Sequence, residues 1–426
     1  MPLNKLKINS WILTISLFII ACGTKSISNK DFSSTIDPDL QLFFPEFEIE
    51  HLNDSISSIH FKIRPDRFLY VKDFNSQKYF GELLATYTVK EELASTVTID
   101  KDSINFSIEG IPGNPNLFEA QINFKAPKGK DYILRLKLED LKRNYDEEHF
   151  IDVFKSNINS SQHYNVSSNT SNPKSDMVFT HFDSVWVTNE KLTSGQLTVY
   201  RFKQDFGPAI PPFSVFFDQN LNLEPDSVFQ IDNGGLIPTT KEENCFFFVK
   251  ADTSYENGLL IKRFNTYFPK VKTVNELMYP MEMITTKVEF NNFQRSTNLK
   301  LAIDDFWING CGSRDRARPV IRKFYERVEY ANQYFTTYKE GWKTDRGMIY
   351  VIYGPPRKLY KSEYSESWIY GEENNTMSLT FNFTKVINPY TNKEFRLERS
   401  SVYKNYWYQM IDAWREGRVF TETNLN

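Results

Sequence analysis

The side chains able to do acid–base, nucleophilic or metal chemistry are thinly spread along this sequence. Its five histidines are His51, His60, His149, His163 and His181, so the C-terminal part lacks the commonest general base and zinc ligand. No H-E-x-x-H, paired C-x-x-C, G-x-S-x-G or P-loop pattern occurs, and no cofactor is expected. Ser171-Asn172-Pro173-Lys174 fits a serine–lysine nucleophile pattern but sits in a Ser/Asn-rich stretch that offers no rigid pocket. Asp146-Glu147-Glu148-His149 is either a metal-ligand set or the charged tip of a hairpin, and the tip is the simpler reading. Asp304 and Asp305 are adjacent, which points their carboxylates apart on helix or strand. Arg314, Arg316, Arg318, Arg322 and Lys323 suit a phosphate, a lipid headgroup or an acidic partner, or else a solvated helix start paired with Asp315 and Glu326. Asp345 with Glu363 or Glu366 could form the carboxylate pair of a glycan-cleaving protein, with Trp368 and Tyr370 as stacking platforms.

The elements that must position these groups are bounded by composition. The chain has 426 residues, 40% hydrophobic and 15% aromatic, which excludes a disordered protein and favours two or three domains. A formal charge of −3 excludes an overall basic nucleic-acid footprint. Mean hydropathy is −0.49, and only one long apolar run exists, so a polytopic membrane protein is excluded.

That apolar run lies at the N-terminus, where Lys5 and Lys7 precede Trp11–Ala21. It is shorter than the roughly 20 residues a bilayer span needs and matches the h-region of a signal peptide. Its end, Ile19-Ile20-Ala21-Cys22, resembles the bacterial lipobox. The resemblance implies a signal peptide over 1–21 and acylation of Cys22 by chains such as palmitate. The protein would then be lipid-anchored at the outer membrane. The segment after Cys22 carries no acidic cluster, which tilts the expected orientation towards the periplasm. Cys245 and Cys311 remain; they could pair, but they fall in different expected domains and read more simply as two buried thiols.

The expected fold is mostly β plus α+β, with two β-sandwich-like domains followed by a C-terminal domain of a small antiparallel sheet and flanking helices. Residues 22–39 read as a polar tether. Residues 40–155 read as an immunoglobulin-like β-sandwich, because Tyr132, Leu134, Leu136 and Leu138 alternate with polar neighbours, as do Ile59, Phe61 and Ile63. The Ser/Asn-rich stretch 156–176 reads as a linker and 177–300 as a second β domain. Over 301–426 the period changes. Pro319 opens an expected helix with Val320, Phe324, Val328, Ala331 and Phe335 on one face, and Gly341 is its expected left-handed stop. Met348–Tyr353 reads as a buried strand, Leu379–Phe383 as an alternating one, and 403–416 as a last helix.

Within this last domain stand Gly341-Trp342-Lys343-Thr344-Asp345-Arg346-Gly347 and, after the apolar run, Gly354-Pro355-Pro356. Together with Phe306-Trp307, Phe324–Val328 and Trp368-Ile369-Tyr370, they resemble the signature of the GWxTD-domain family of bacterial envelope proteins, common in Bacteroidota. The resemblance implies an envelope location and a modular architecture, but no established reaction. Read physically, Gly341, Trp342, Thr344, Asp345, Gly347, Gly354 and Pro355 make a tight helix-to-strand corner, with Asp345 as a hydrogen-bond acceptor rather than a catalyst. Asp-Ser followed by Ile or Val recurs at Ser55, Ser103, Ser184 and Ser227. This either resembles the Bacteroidota O-glycosylation sequon or opens strands. The functional expectation is a non-enzymatic lipoprotein that binds envelope protein partners, beside secretion or assembly machinery, with a glycan-binding or glycan-cleaving envelope protein as the alternative.

Overall fold

The computed structural model describes residues 30–110, 117–169, 177–180, 183–193, 195–203, 206–214, 223–238, 244–372 and 378–418. Cys22, His181 and the Ser171–Lys174 pattern lie outside the described residues. The architecture is mostly β plus α+β, as the sequence patterning indicates.

The first unit contains β1 (Glu46–Glu50), β2 (Ile56–Ile63), β3 (Val71–Lys72), β4 (Tyr79–Lys90), β5 (Asp100–Gly110), β6 (Phe118–Lys125), β7 (Tyr132–Asp140) and β8 (Tyr145–Val153). A three-stranded sheet β1-β2-β6 faces a sheet ordered β3-β4-β7-β8, with β5 also paired to β4, and all pairs are antiparallel. Alternate residues of β2, β4 and β7 fill one core between the sheets, Ile59, Phe61, Leu83, Leu134 and Leu136 among them. The acidic run Asp146–Glu148 is not a hairpin tip, since it lies inside β8. Glu147 is buried and accepts from the Leu42 and Phe43 amides and from the Tyr145 hydroxyl. Those bonds explain an acid there without a metal.

The second unit contains β9 (Tyr164–Ser168), β10 (Val178–Phe179), β11 (Val185–Asn189), β12 (Gln196–Lys203), β13 (Ser227–Asp232), β14 (Gly235–Ile237), β15 (Cys245–Lys250) and β16 (Leu259–Arg263). Its sheets are β14-β11-β9 and β10-β16-β15-β12-β13. The expected linker is therefore partly structured: β9 pairs with β11, and Asn159, Ser160 and His163 are buried. Serine and asparagine are here because they bond backbone, as Asn159 Oδ1 does in accepting from the Ala251 and Asp252 amides. His51 and His163 stack edge-on at 4.8 Å across the seam between the two units, and burial pushes both rings down to about 4.

The third unit begins earlier than residue 301. Short helices α1 (Val274–Met278) and α2 (Lys287–Arg295) precede α3 (Leu299–Cys311), and Met278, Met281, Phe290 and Phe293 join the C-terminal core. Both short helices open on capping boxes, Thr273 with Glu276 and Thr286 with Glu289. Helix α4 (Arg314–Phe335) starts five residues before Pro319, with the Ser313 hydroxyl as its N-cap. Next come α5 (Asp345–Tyr353), an antiparallel sheet of β17 (Lys358–Lys361), β18 (Ser365–Tyr370), β19 (Leu379–Lys385) and β20 (Phe395–Leu397), and α6 (Tyr403–Arg415). The apolar run Met348–Tyr353 is thus helix, not strand. Every residue of α5 except Asp345 is buried, and an all-round apolar run carries no period to tell the two apart. Cys245 and Cys311 are both buried and are not joined in a disulfide.

The expected tether is folded over its described part. Phe32 is buried, donates its amide to the Leu359 carbonyl (2.8 Å) and packs on Phe150 of β8. Asp31 accepts from the Leu359 amide, and the buried Tyr350 hydroxyl donates to the Ile36 carbonyl (2.9 Å). Lys30 pairs with Asp146 and Glu148. Residues 30–39 thus clasp the first unit to the third. Phe32→Ala is expected to cost about 3 kcal/mol of unfolding free energy in urea titration. A loss under about 1 kcal/mol, the range of a surface change, would contradict the clasp.

Candidate functional site

The signature residues form a packed junction of α4, a 3-10 turn (Gly341–Lys343), α5 and β20. After α4 ends, the turn doubles back so closely that a Cβ on Gly341 would lie 1.9 Å from the Ala331 carbonyl oxygen. A Cβ on Gly347 would lie 1.9 Å from the Gly341 oxygen. Neither glycine has positive φ, so the expected left-handed stop at Gly341 is corrected: glycine is required here for close approach. Thr344 caps α5. Its hydroxyl donates to the Gly341 carbonyl (2.7 Å) and accepts from the Gly347 amide (3.0 Å), locking turn to helix. Trp342 is buried, and its amide donates to Asn332 of α4.

Asp345 stands at the first position of α5, where a carboxylate also meets the positive end of the helix. It accepts from Arg399 at both oxygens (2.6 and 3.0 Å) and from the Leu397 amide (2.8 Å). Both side chains of the pair are close to nine-tenths buried. Arg399 also donates to the Ile210 carbonyl, so this carboxylate couples α5 to β20 and to the second unit. Arg346 turns the other way, donating to Glu366 (3.0 Å) and the Lys393 carbonyl (2.6 Å) while stacking on Phe395. Burial alone would raise the Glu366 carboxyl, but Arg346 and Lys361 outweigh it and hold the group below its ordinary value.

The far end of α5 is closed as firmly. Arg327 and the Trp414 indole both donate to the Ile352 carbonyl, and Tyr370 donates its hydroxyl to the Gly354 carbonyl. Gly354 has φ +86°, and a Cβ there would strike the Arg327 guanidinium. Burial lowers Arg327 to about 10, so it stays charged at neutral pH and opposes the negative end of the helix. Pro355 is half-buried in the turn that follows.

This geometry changes several sequence expectations. Trp368 and Tyr370 are not exposed platforms, because β18 turns both into the core and each is fully buried. Trp368 instead donates to Glu366 (3.0 Å). Asp345 and Glu366 do not share a cleft as a carboxylate pair; each is committed to its own arginine, and Glu363 lies in the β17–β18 turn. The corner is turn-to-helix rather than helix-to-strand. Asp304 pairs with Lys300, and Arg318 lies near Asp315 on an exposed helix start. Ser55, Ser184 and Ser227 stand at strand starts and Ser103 lies inside β5; Ser55 and Ser103 are exposed, Ser184 and Ser227 half-buried. Among the described residues no group of three metal-ligating side chains converges. Arg399, Asn332 and Arg327 were not singled out by sequence. Arg327 carried a signal, since it lies on the same helical face as Phe324 and Ala331. Arg399 carried none, being 54 residues from its partner.

Residues 245–416 match the profile of the GWxTD domain. This stretch is a GWxTD domain. The match begins at the first residue of β15, so it takes in two strands of the second unit as well as the helices and sheet described above. The structure gives a reason: Phe246 and Phe248 of β15 pack on Tyr338 and Tyr390 of the GWxTD domain. No curated protein matches the chain. Among solved structures, red sea bream transglutaminase aligns at 4% identity and TM-score 0.19, over 54% of this chain and 32% of its own. The chain thus spans about a third of that enzyme, and the likeness carries no argument.

Asp345→Asn is expected to cost about 3 kcal/mol in equilibrium unfolding, because it leaves the Arg399 charge buried without its carboxylate. Adding Arg399→Met should return most of that loss. Strictly additive losses in the double variant would contradict the pairing.

Proposed function

We propose that this protein is a membrane-anchored envelope lipoprotein that works as a scaffold, holding protein partners at a fixed distance and orientation from the outer membrane, beside secretion or assembly machinery. Acylation at Cys22 supplies the anchor, and the body faces the periplasm. The observation that carries this reading is where the GWxTD signature spends its polar atoms. Thr344, Asp345 and Arg346 are each used up in bonds that fix one segment of the chain against another. Such residues act through rigidity, and a rigid body of three packed units suits a spacer whose value lies in geometry. The clasp over residues 30–39 adds to this, because it ties the anchor side of the chain to both the first and the third unit.

Crosslinking in intact cells followed by mass spectrometry tests the reading. The expected result is a small, reproducible set of envelope proteins linked through surface lysines, with the protein in the membrane fraction and Cys22→Ala released from it. Recovery of abundant contaminants alone, or a membrane fraction unchanged by Cys22→Ala, would overturn it.

A further inference from the structure

One end of the first β unit exposes apolar side chains that its core does not use. The β3–β4 hairpin carries Leu69, Val71, Phe74 and Tyr79, and Leu117 before β6 and Leu141 after β7 stand at the same end. Strand register sets this clustering: Tyr79 pairs with Gly110 at the last residue of β5, and the Leu141 amide donates to the Glu82 carbonyl. Phe74, at the tip, is 84% exposed. The tip holds its shape without that ring, since Asp73 accepts from the Ser76 amide and hydroxyl and Gln77 donates to the Phe74 carbonyl. A large apolar residue presented on a locally bonded turn, among five others, marks a surface with an occupant.

The path of the chain says which occupant. Lys30 pairs with Asp146, at the start of β8, beside the β7–β8 turn of this same end. Asp146 pairs with Glu139, which lies opposite Leu84 of β4. Tyr79 is therefore two strands across and five residues along from Asp146, about 10 Å and about 17 Å. The eight peptide steps from Cys22 to Lys30 reach at most about 28 Å in any conformation. An acyl group on Cys22 thus holds the bilayer surface within reach of this end of the body.

We propose that the Leu69–Tyr79 hairpin end of the first unit is a membrane-contacting surface, with Phe74 inserted among the lipids beside the anchor. This inference rests on the anchored reading above. The charges around the tip are mixed: Lys78 pairs with Glu109, Lys142 with Glu82, and Arg143 lies near Asp140. Contact is therefore apolar, indifferent to anionic lipid and insensitive to salt. It sets the tilt of the whole body on the membrane.

The test uses the full acylated chain in phosphatidylcholine/phosphatidylethanolamine vesicles, read by hydrogen exchange of residues 69–79. Intact mass reports acylation independently. The inference expects at least tenfold slower exchange of the hairpin on vesicles than in detergent-free solution of the Cys22→Ser chain. It expects Phe74→Asp to abolish that protection while the acylated chain stays vesicle-bound. Phe74→Gln should behave likewise, which separates loss of apolar contact from added charge. An acylated, vesicle-bound chain whose hairpin exchanges freely would overturn the inference and leave the anchor standing. Absence of acylation would overturn the anchor alone if the hairpin is still protected by vesicles, and both if it is not. Protection that depends on protein concentration without lipid would assign the surface to a second copy of the chain and overturn the inference.

Discussion

Two backbone contacts too close for any side chain fix the position of α5, and the GWxTD domain is arranged around that helix. At Gly341 the turn touches the carbonyl of Ala331, and at Gly347 the helix touches the carbonyl of Gly341. Three segments of chain are thereby brought to backbone contact, and a nine-residue helix is held with almost its whole surface buried. Burying a helix so completely removes both its ends from water, so its end groups need partners inside the protein. The Thr344 hydroxyl and Asp345 serve one end; Arg327, Trp414 and Tyr370 serve the other. The signature motif is this set of obligations written in sequence.

From that helix the constraints run outward. Asp345 reaches Arg399, which reaches the Ile210 carbonyl of the second unit, while Tyr350 reaches the Ile36 carbonyl of the N-terminal clasp. The aromatic seam of Phe246, Phe248, Tyr338 and Tyr390 lies between the same two units. The histidine pair at His51 and His163 closes the joint between the first and second units. These contacts make the relative placement of the three units a property of their buried polar and aromatic side chains, and that placement is what a scaffold has to offer.

Much of this was legible in the sequence, and the exceptions have physical reasons. Period-two alternation marked β2, β7 and β19, and the spacing of Trp407, Ile411 and Trp414 marked α6, because each has one wet face. Met348–Tyr353 has none, so only the Thr344-Asp345 cap could have identified it as helix. Trp368 and Tyr370 looked like binding platforms because an aromatic ring's destination depends on which side of β18 meets the core, and register comes from pairing. The clasp over 30–39 looked like a tether because its two anchoring side chains, Phe32 and Ile36, are too few to show a period. The Asp345–Arg399 pair joins residues whose separation no local pattern encodes.

The claim that the motif acts through backbone approach is most directly measured by urea unfolding of Gly341→Ala beside Gly207→Ala, where an added Cβ meets nothing within 4 Å. The account predicts a loss above about 3 kcal/mol for the first and within about 0.5 kcal/mol of wild type for the second. Equal stability of the two variants would contradict it.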